Sequence, residues 1–197
     1  MNLANKLTIS RMIMAVLILL ILLIPWDEVG IVFPTVYVMG KVLVDTKYLI
    51  AGFIFVIACV TDYLDGAIAR KDKKTTDFGA TLDAIADKVL VNGILILLAY
   101  QGFISVIIPI IIVLRDICVD ALRALSAKNK VIIKASKWGK VKTIFMMCGL
   151  SLMLFYNLPF EVWGIYVADI LIDIATILSV ISGILYFIHA KEKIKFD

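Results

Sequence analysis

Charged and turn-forming residues are scarce in this sequence. Only 18% of its 197 residues are charged and it contains four prolines, whereas 62% of its residues are hydrophobic. This composition excludes a disordered chain and an ordinary soluble globule, whose apolar share is nearer one half. The three cysteines are far apart in apolar sequence, which excludes a disulfide framework and the paired spacing of a zinc site. The composition therefore predicts an integral membrane protein.

Apolar runs long enough to span a membrane are the main feature that is present. A spanning helix needs roughly 20 mostly apolar residues to cross the hydrocarbon layer. Six segments meet this length: approximately 7–25, 48–70, 79–100, 104–124, 139–157 and 166–190. The first overlaps an amphipathic stretch, NLANKLTISRM, which we expect to lie in the membrane interface, and it ends without a cleavage site. The predicted fold class is therefore an all-α integral membrane protein with six transmembrane helices, an N-terminal interfacial amphipathic segment and a single domain over 1–197.

Basic residues are distributed unevenly between these segments. All of them except Lys41 and Lys47 fall on the same side of the predicted bundle. Lys and Arg are retained on the cytoplasmic side of a membrane, so we expect both termini in the cytoplasm. The net charge of +4 is then mainly a topology signal, and we expect no nucleic-acid partner.

Four aspartates lie within or at the edge of two predicted spanning helices. Asp62 and Asp65 are three residues apart on the second helix, and Asp83 and Asp87 are four apart on the third, so each pair shares one helical face. An Asp at the centre of a spanning helix costs roughly 2.5–3.5 kcal/mol, and mutual repulsion adds to this cost. Two divalent cations would balance the four carboxylates, and oxygen ligands suit Mg²⁺, Mn²⁺ or Ca²⁺. Helix caps with interfacial charges, or a transporter pathway for cations or protons, are the competing interpretations.

Small residues and an arginine accompany these acids. Gly66 and Ala69 precede Arg70, and Gly79 opens the next helix. Small side chains let a ligand approach the backbone closely, and a guanidinium suits phosphate oxygens. The small residues and the arginine beside the acids favour phosphoryl transfer over ion conduction, because two cations can bind a diphosphate between them.

The full pattern resembles the signature of the CDP-alcohol phosphotransferase family. It reads Asp62-x2-Asp65-Gly66-x2-Ala69-Arg70-x8-Gly79-x3-Asp83-x3-Asp87. The resemblance implies a six-helix membrane core, usually dimeric, that transfers a substituted phosphate from a CDP-linked donor to an alcohol and releases CMP. It implies two divalent cations held by Asp62, Asp65, Asp83 and Asp87, with Asp87 as the general base. It also implies a CDP pocket formed by Asp62, Gly66, Ala69, Arg70, Gly79 and Asp83.

A second group of basic residues suggests where the acceptor binds. Arg115 and Arg123 are eight residues apart, a little over two helical turns, and Lys140 and Lys142 open the fifth helix. A phosphorylated acceptor needs such an anion site near the metal cluster. Thr8 and Arg11 are assigned a helper role at the interface.

Three further segments resemble the bacterial branch of the family that uses CDP-diacylglycerol and sn-glycerol 3-phosphate. NLANKLTISR is similar to its NxPNxLTxxR pattern, RDICVDALR to RExxVxGLR, and WGKVKT to LGKxKT. The chain departs from the branch at Ala4, Ala84 and Asp120-Ala121, and the last departure puts an acid beside the expected acceptor pocket. The resemblance implies the product phosphatidylglycerophosphate, a homodimer among membrane lipids in the bacterial plasma membrane, and an active site that faces the cytoplasm. Inositol phosphate, serine and phosphatidylglycerol remain alternative acceptors.

Overall fold

The computed structural model describes residues 3–72, 77–129 and 137–193. Within these ranges the chain is mostly helical, and each predicted segment forms a helix whose ends differ from the expected ones by no more than about one turn. The helices are α1 (Leu3–Leu23), α2 (Thr46–Asp72), α3 (Asp77–Tyr100), α4 (Ile107–Lys128), α5 (Lys137–Leu154) and α6 (Val167–Lys193).

Two of these helices are long and apolar enough to cross a membrane by themselves. They are α1, over Lys6–Leu23, and α6, over Val167–Lys193, among the residues that the structure describes. The other four helices carry clustered charges. That all six helices cross the membrane therefore stays a prediction. The outward faces of several helices are nevertheless apolar: Ile13 is 56% exposed, Phe53 63% and Ile96 54%. Such a surface is stable against lipid rather than water, which favours a membrane protein.

The inward face of α1 follows a spacing of three and four residues. Its buried side chains, each at most 3% exposed, are Thr8, Arg11, Ala15, Ile18 and Leu22. This face packs against α2 and α3. The stretch that we expected as a separate interfacial segment is therefore the start of one continuous helix. Thr8 and Arg11 lie on the buried face of α1, because they continue the face that buries Ala15.

Close contacts of glycines bring the last helices together. A Cβ added at Gly149 of α5 would lie 2.7 Å from the Cγ1 of Ile172 and 3.2 Å from its backbone nitrogen on α6. Further along α6, a Cβ at Gly183 would lie 3.0 Å from the Cγ of Arg115 on α4. The helix α6 thus packs closely against both α4 and α5.

The hairpin between α1 and α2 was not predicted. Its strands β1 (Thr35–Val38) and β2 (Val42–Asp45) pair antiparallel. It is anchored by the backbone N–H of Asp45, which donates to the hydroxyl of Tyr156 at 3.2 Å. This contact lies at the end of the bundle where α1 and α5 end and α2 begins. The candidate site residues lie near the opposite ends of these helices and are therefore gathered at the other end of the bundle.

Candidate active site

The guanidinium of Arg11 lies between two of the predicted metal-binding aspartates. Its Nη1 is 2.7 Å from Asp62 Oδ1 on α2 and 2.7 Å from Asp83 Oδ1 on α3. The Arg11 side chain is 1% exposed, whereas those of Asp62 and Asp83 are 40% and 46% exposed. Three helices therefore meet at one charged contact, and both carboxylates remain accessible from outside the bundle.

The rest of the signature is described only in part. Asp65, Gly66, Ala69 and Arg70 belong to α2, but their side chains lie outside the described residues. Gly79 is buried near the start of α3. The predicted CDP pocket can therefore be traced only through Asp62, Asp83 and Gly79.

The donor chemistry of the site fits a divalent cation. Oxygens of Asp62 and Asp83 converge on a single cationic nitrogen, and carboxylate oxygens are the ligands that Mg²⁺ and Mn²⁺ prefer. Among the described residues, no group of three acidic, histidine or cysteine side chains is close enough to hold a metal ion. A complete ligand set would thus need Asp65, whose side chain is outside that part of the chain, or a movement of Asp87.

A cavity of about 250 Å³ opens beside Asp87. Its walls include all four residues that the sequence predicts to bind the acceptor phosphate: Arg115, Arg123, Lys140 and Lys142. They come from α4 and α5, and α6 closes the remaining side through Ser182 and Tyr186. The structure therefore brings the predicted base and the predicted anion site to one cavity.

Arg115 and Lys142 are held in place by a shared carboxylate. Asp116 Oδ1 lies 3.0 Å from Arg115 Nη1 and 3.2 Å from Lys142 Nζ. Arg115 also donates from Nε to the Ser179 carbonyl at 3.1 Å and from Nη2 to the Ser182 hydroxyl at 2.8 Å. All three charged side chains are at most 17% exposed. Arg115 thus ties α4 to α6, while it lines the cavity.

Asp120, the acid that departs from the resembling pattern, is paired in the structure. Its carboxylate contacts the Lys88 ammonium and lies 4.0 Å from Arg123 Nη1. The Arg123 guanidinium in turn lies 5.7 Å from the centre of the Tyr186 ring. The acid therefore offsets two cations at the cavity wall instead of standing alone in a basic pocket.

A smaller cavity of about 40 Å³ adjoins the first one. It shares Asp87 and Lys142 with the larger cavity, and Ile112 and Met146 supply apolar walls. The polar site consequently ends against the apolar core just beyond Asp87.

Sequence reasoning missed the inward position of Arg11 and the roles of Lys88 and Asp116. The spacing of Arg11 from Ala15 and Ile18, which are apolar, could have indicated that Arg11 faces the core. No comparable signal marks Lys88 or Asp116, because Lys88 pairs with Asp120 on another helix and Asp116 joins its neighbour Arg115 to Lys142 on α5.

Comparison with known proteins supports the resemblance over the whole chain. The sequence model of the CDP-alcohol phosphatidyltransferase family matches residues 1–188. A CDP-diacylglycerol–glycerol-3-phosphate 3-phosphatidyltransferase of Bacillus subtilis (strain 168) is 33% identical over 98% of this chain and 97% of its own length. Enzymes with the same name from Rickettsia bellii (strain RML369-C) and Haemophilus influenzae (strain ATCC 51907 / DSM 11121 / KW20 / Rd) are also similar. The Rickettsia enzyme is 34% identical over 97% of this chain and 96% of its own length. The Haemophilus enzyme is 42% identical over 75% of this chain and 80% of its own length.

Proposed function

Because the chain belongs to the CDP-alcohol phosphatidyltransferase family, we propose that it transfers the phosphatidyl group of CDP-diacylglycerol to sn-glycerol 3-phosphate. The products are phosphatidylglycerophosphate and CMP, so the reaction belongs to phospholipid biosynthesis. The printed names of relatives that align over nearly their full length support this donor and this acceptor.

The observation that carries the acceptor assignment is the cavity beside Asp87. Five basic side chains line it, Lys88 and the four predicted to bind the acceptor phosphate, and Arg and Lys bind phosphate oxygens through charge-assisted hydrogen bonds. A phosphorylated alcohol can use this anion site while its hydroxyl points to Asp87. Serine has no phosphate for these cations to bind, so it fits the cavity less well.

In the mechanism that we favour, Asp87 accepts the proton of the primary hydroxyl of sn-glycerol 3-phosphate. The freed oxygen forms a bond to the β-phosphorus of CDP-diacylglycerol, and the bond from that phosphorus to the bridging oxygen breaks, so that CMP leaves. Arg115, Arg123, Lys140 and Lys142 hold the acceptor phosphate and keep the hydroxyl in line with the bond that breaks.

The donor is held by the signature residues. Gly66, Ala69 and Gly79 leave room for the CDP moiety, and Arg70 offers donors to its phosphates. Asp62, Asp65, Asp83 and Asp87 would hold two Mg²⁺ or Mn²⁺ ions, which neutralise the diphosphate and the charge that develops on CMP.

We place the enzyme in the bacterial plasma membrane as a six-span homodimer with the active site and both termini in the cytoplasm. The concentration of basic residues at the site end of the bundle supports this orientation. The apolar outward faces support an environment in which the acyl chains of the donor stay in lipid.

A CMP-release assay on purified protein in detergent micelles tests the proposal. With CDP-diacylglycerol as donor, we expect the highest kcat/KM with glycerol 3-phosphate, compared with inositol phosphate, serine and phosphatidylglycerol. EDTA should abolish turnover and Mg²⁺ or Mn²⁺ should restore it. A preference for another acceptor would refute the acceptor assignment, and ion flux in liposomes without any CMP release would favour a transporter.

The Asp87→Asn variant tests the assignment of the base. We expect it to fold and to lose CMP release, because an amide cannot accept the proton at this position. Its melting temperature, compared with that of the wild type, verifies folding. Substantial turnover in the folded variant would contradict the assignment.

A further inference from the structure

A buried arginine occupies the position of a cation between two acids of the signature. The Arg11 Nη1 is 2.7 Å from an oxygen of Asp62 and 2.7 Å from an oxygen of Asp83. The two carboxylates come from different helices, and one nitrogen is equidistant from both. A metal cation that bridged α2 and α3 would lie between the same two carboxylate oxygens.

The placement is stable only as long as the charges compensate each other. Arg11 is 1% exposed, so its guanidinium needs the two carboxylates, since a buried charge without a partner is strongly destabilising. Conversely, Asp62 and Asp83 would repel each other without a cation between them. Helix α1, which packs against both α2 and α3, is therefore coupled electrostatically to the acid pair.

A divalent ion on the same oxygens would be close to this arginine. Metal–oxygen distances of about 2.1 Å would bring the ion within about 5 Å of Nη1. Like charges at that separation repel strongly in a site that is partly shielded from water. Either the guanidinium moves away from the oxygens or the ion binds less tightly.

We propose that Arg11 is a positioning residue that competes with a divalent cation for Asp62 and Asp83. It keeps the acid pair assembled when no metal is bound, and it lowers the affinity of the site for the metal. This inference rests on the proposed function, which requires metal ions at these acids.

Mn²⁺ binding to the full-length protein in detergent micelles, measured by electron paramagnetic resonance, tests the competition. We expect Arg11→Gln to bind Mn²⁺ about tenfold more tightly than the wild type. In the wild type the metal must displace the charge-assisted contacts of Arg11 with Asp62 and Asp83, whereas the variant has no such contacts to lose. Lys6→Gln is the matched control: it removes one positive charge from an exposed position on the same helix, and its Mn²⁺ affinity should equal that of the wild type. Arg11→Lys keeps the charge but loses the planar fork, so its affinity should fall between those of the wild type and Arg11→Gln.

Thermal unfolding gives a readout that does not depend on activity. Without metal, Arg11→Gln should unfold at a lower temperature than the wild type, and saturating Mn²⁺ should remove most of this difference. If Arg11→Gln does not fold, Arg11→Lys carries both measurements, with a smaller shift of the same sign.

Equal or weaker Mn²⁺ binding by the Arg11 variants would overturn the inference and make Arg11 a brace that supports the metal ligands. If the wild type releases CMP while this result is obtained, the proposed function stands and the inference alone fails. If the wild type releases no CMP with any acceptor, the proposed function fails.

Discussion

Lys142 offers the sharpest test of the acceptor site. Its side chain is 12% exposed and its Nζ lies 3.2 Å from Asp116 Oδ1 at the edge of the cavity. In Lys142→Met the apolar stem is largely kept while the charge is removed. Asp116 keeps Arg115 as a partner at 3.0 Å, so no carboxylate is left unpaired and we expect a stability loss of only about 1 kcal/mol.

The effect on acceptor binding should be much larger than the effect on stability. A charge-assisted hydrogen bond to phosphate contributes about 1.5–3 kcal/mol, which predicts a roughly 10- to 150-fold rise in KM for glycerol 3-phosphate. We expect the KM for CDP-diacylglycerol to change little, because Lys142 is assigned to the acceptor.

The assay is CMP release with each substrate varied in turn, next to the melting temperature in micelles. Lys128→Met is the matched control, since Lys128 is exposed at the end of α4 and does not line the cavity. An unchanged KM for glycerol 3-phosphate in a folded Lys142→Met protein would refute the reasoning. Equal rises in both KM values would move Lys142 out of the acceptor site.

Two further variants separate binding from packing. Arg115→Ala and Arg123→Ala should both raise the KM for glycerol 3-phosphate more than the KM for CDP-diacylglycerol. Only Arg115→Ala should also clearly lower the melting temperature, because Arg115 donates hydrogen bonds to α6 whereas the Arg123 side chain is 55% exposed. Equal melting temperatures of the two variants would contradict the role of Arg115 as a tie between helices. Gly149→Ala should destabilise the protein by roughly 1–3 kcal/mol in thermal unfolding, because the added Cβ would lie 2.7 Å from Ile172 Cγ1. If the variant is as stable as the wild type, α5 and α6 can move apart at little cost.

The helices could be predicted because long apolar runs carry a strong local signal. The structure places a helix at each of the six segments, and the signature residues fall on α2 and α3 as expected. The hairpin at 35–45 was missed because its short strands alternate weakly and depend on a contact between Asp45 and Tyr156, which are far apart in the sequence.

The sequence suggests candidate site residues, whose roles stay predictions, but it does not indicate the contacts between them. Regular spacing identified Asp83 and Asp87, and the charge pattern identified Arg115 and Lys142. The pairing of Asp120 with Lys88 depends on how α3 and α4 pack, which local patterns do not determine. In the same way, the burial of Arg11 depends on the packing of α1 against two other helices.

In the proposed reaction the acceptor hydroxyl attacks the β-phosphorus of the donor. Glycerol 3-phosphate labelled with ¹⁸O at its primary hydroxyl, incubated with the purified protein, CDP-diacylglycerol and Mg²⁺, measures this directly by mass spectrometry of the products. We predict that the label is retained in the phosphodiester of phosphatidylglycerophosphate and that CMP is unlabelled. Labelled CMP, or a lipid product that lacks the label, would contradict the central claim.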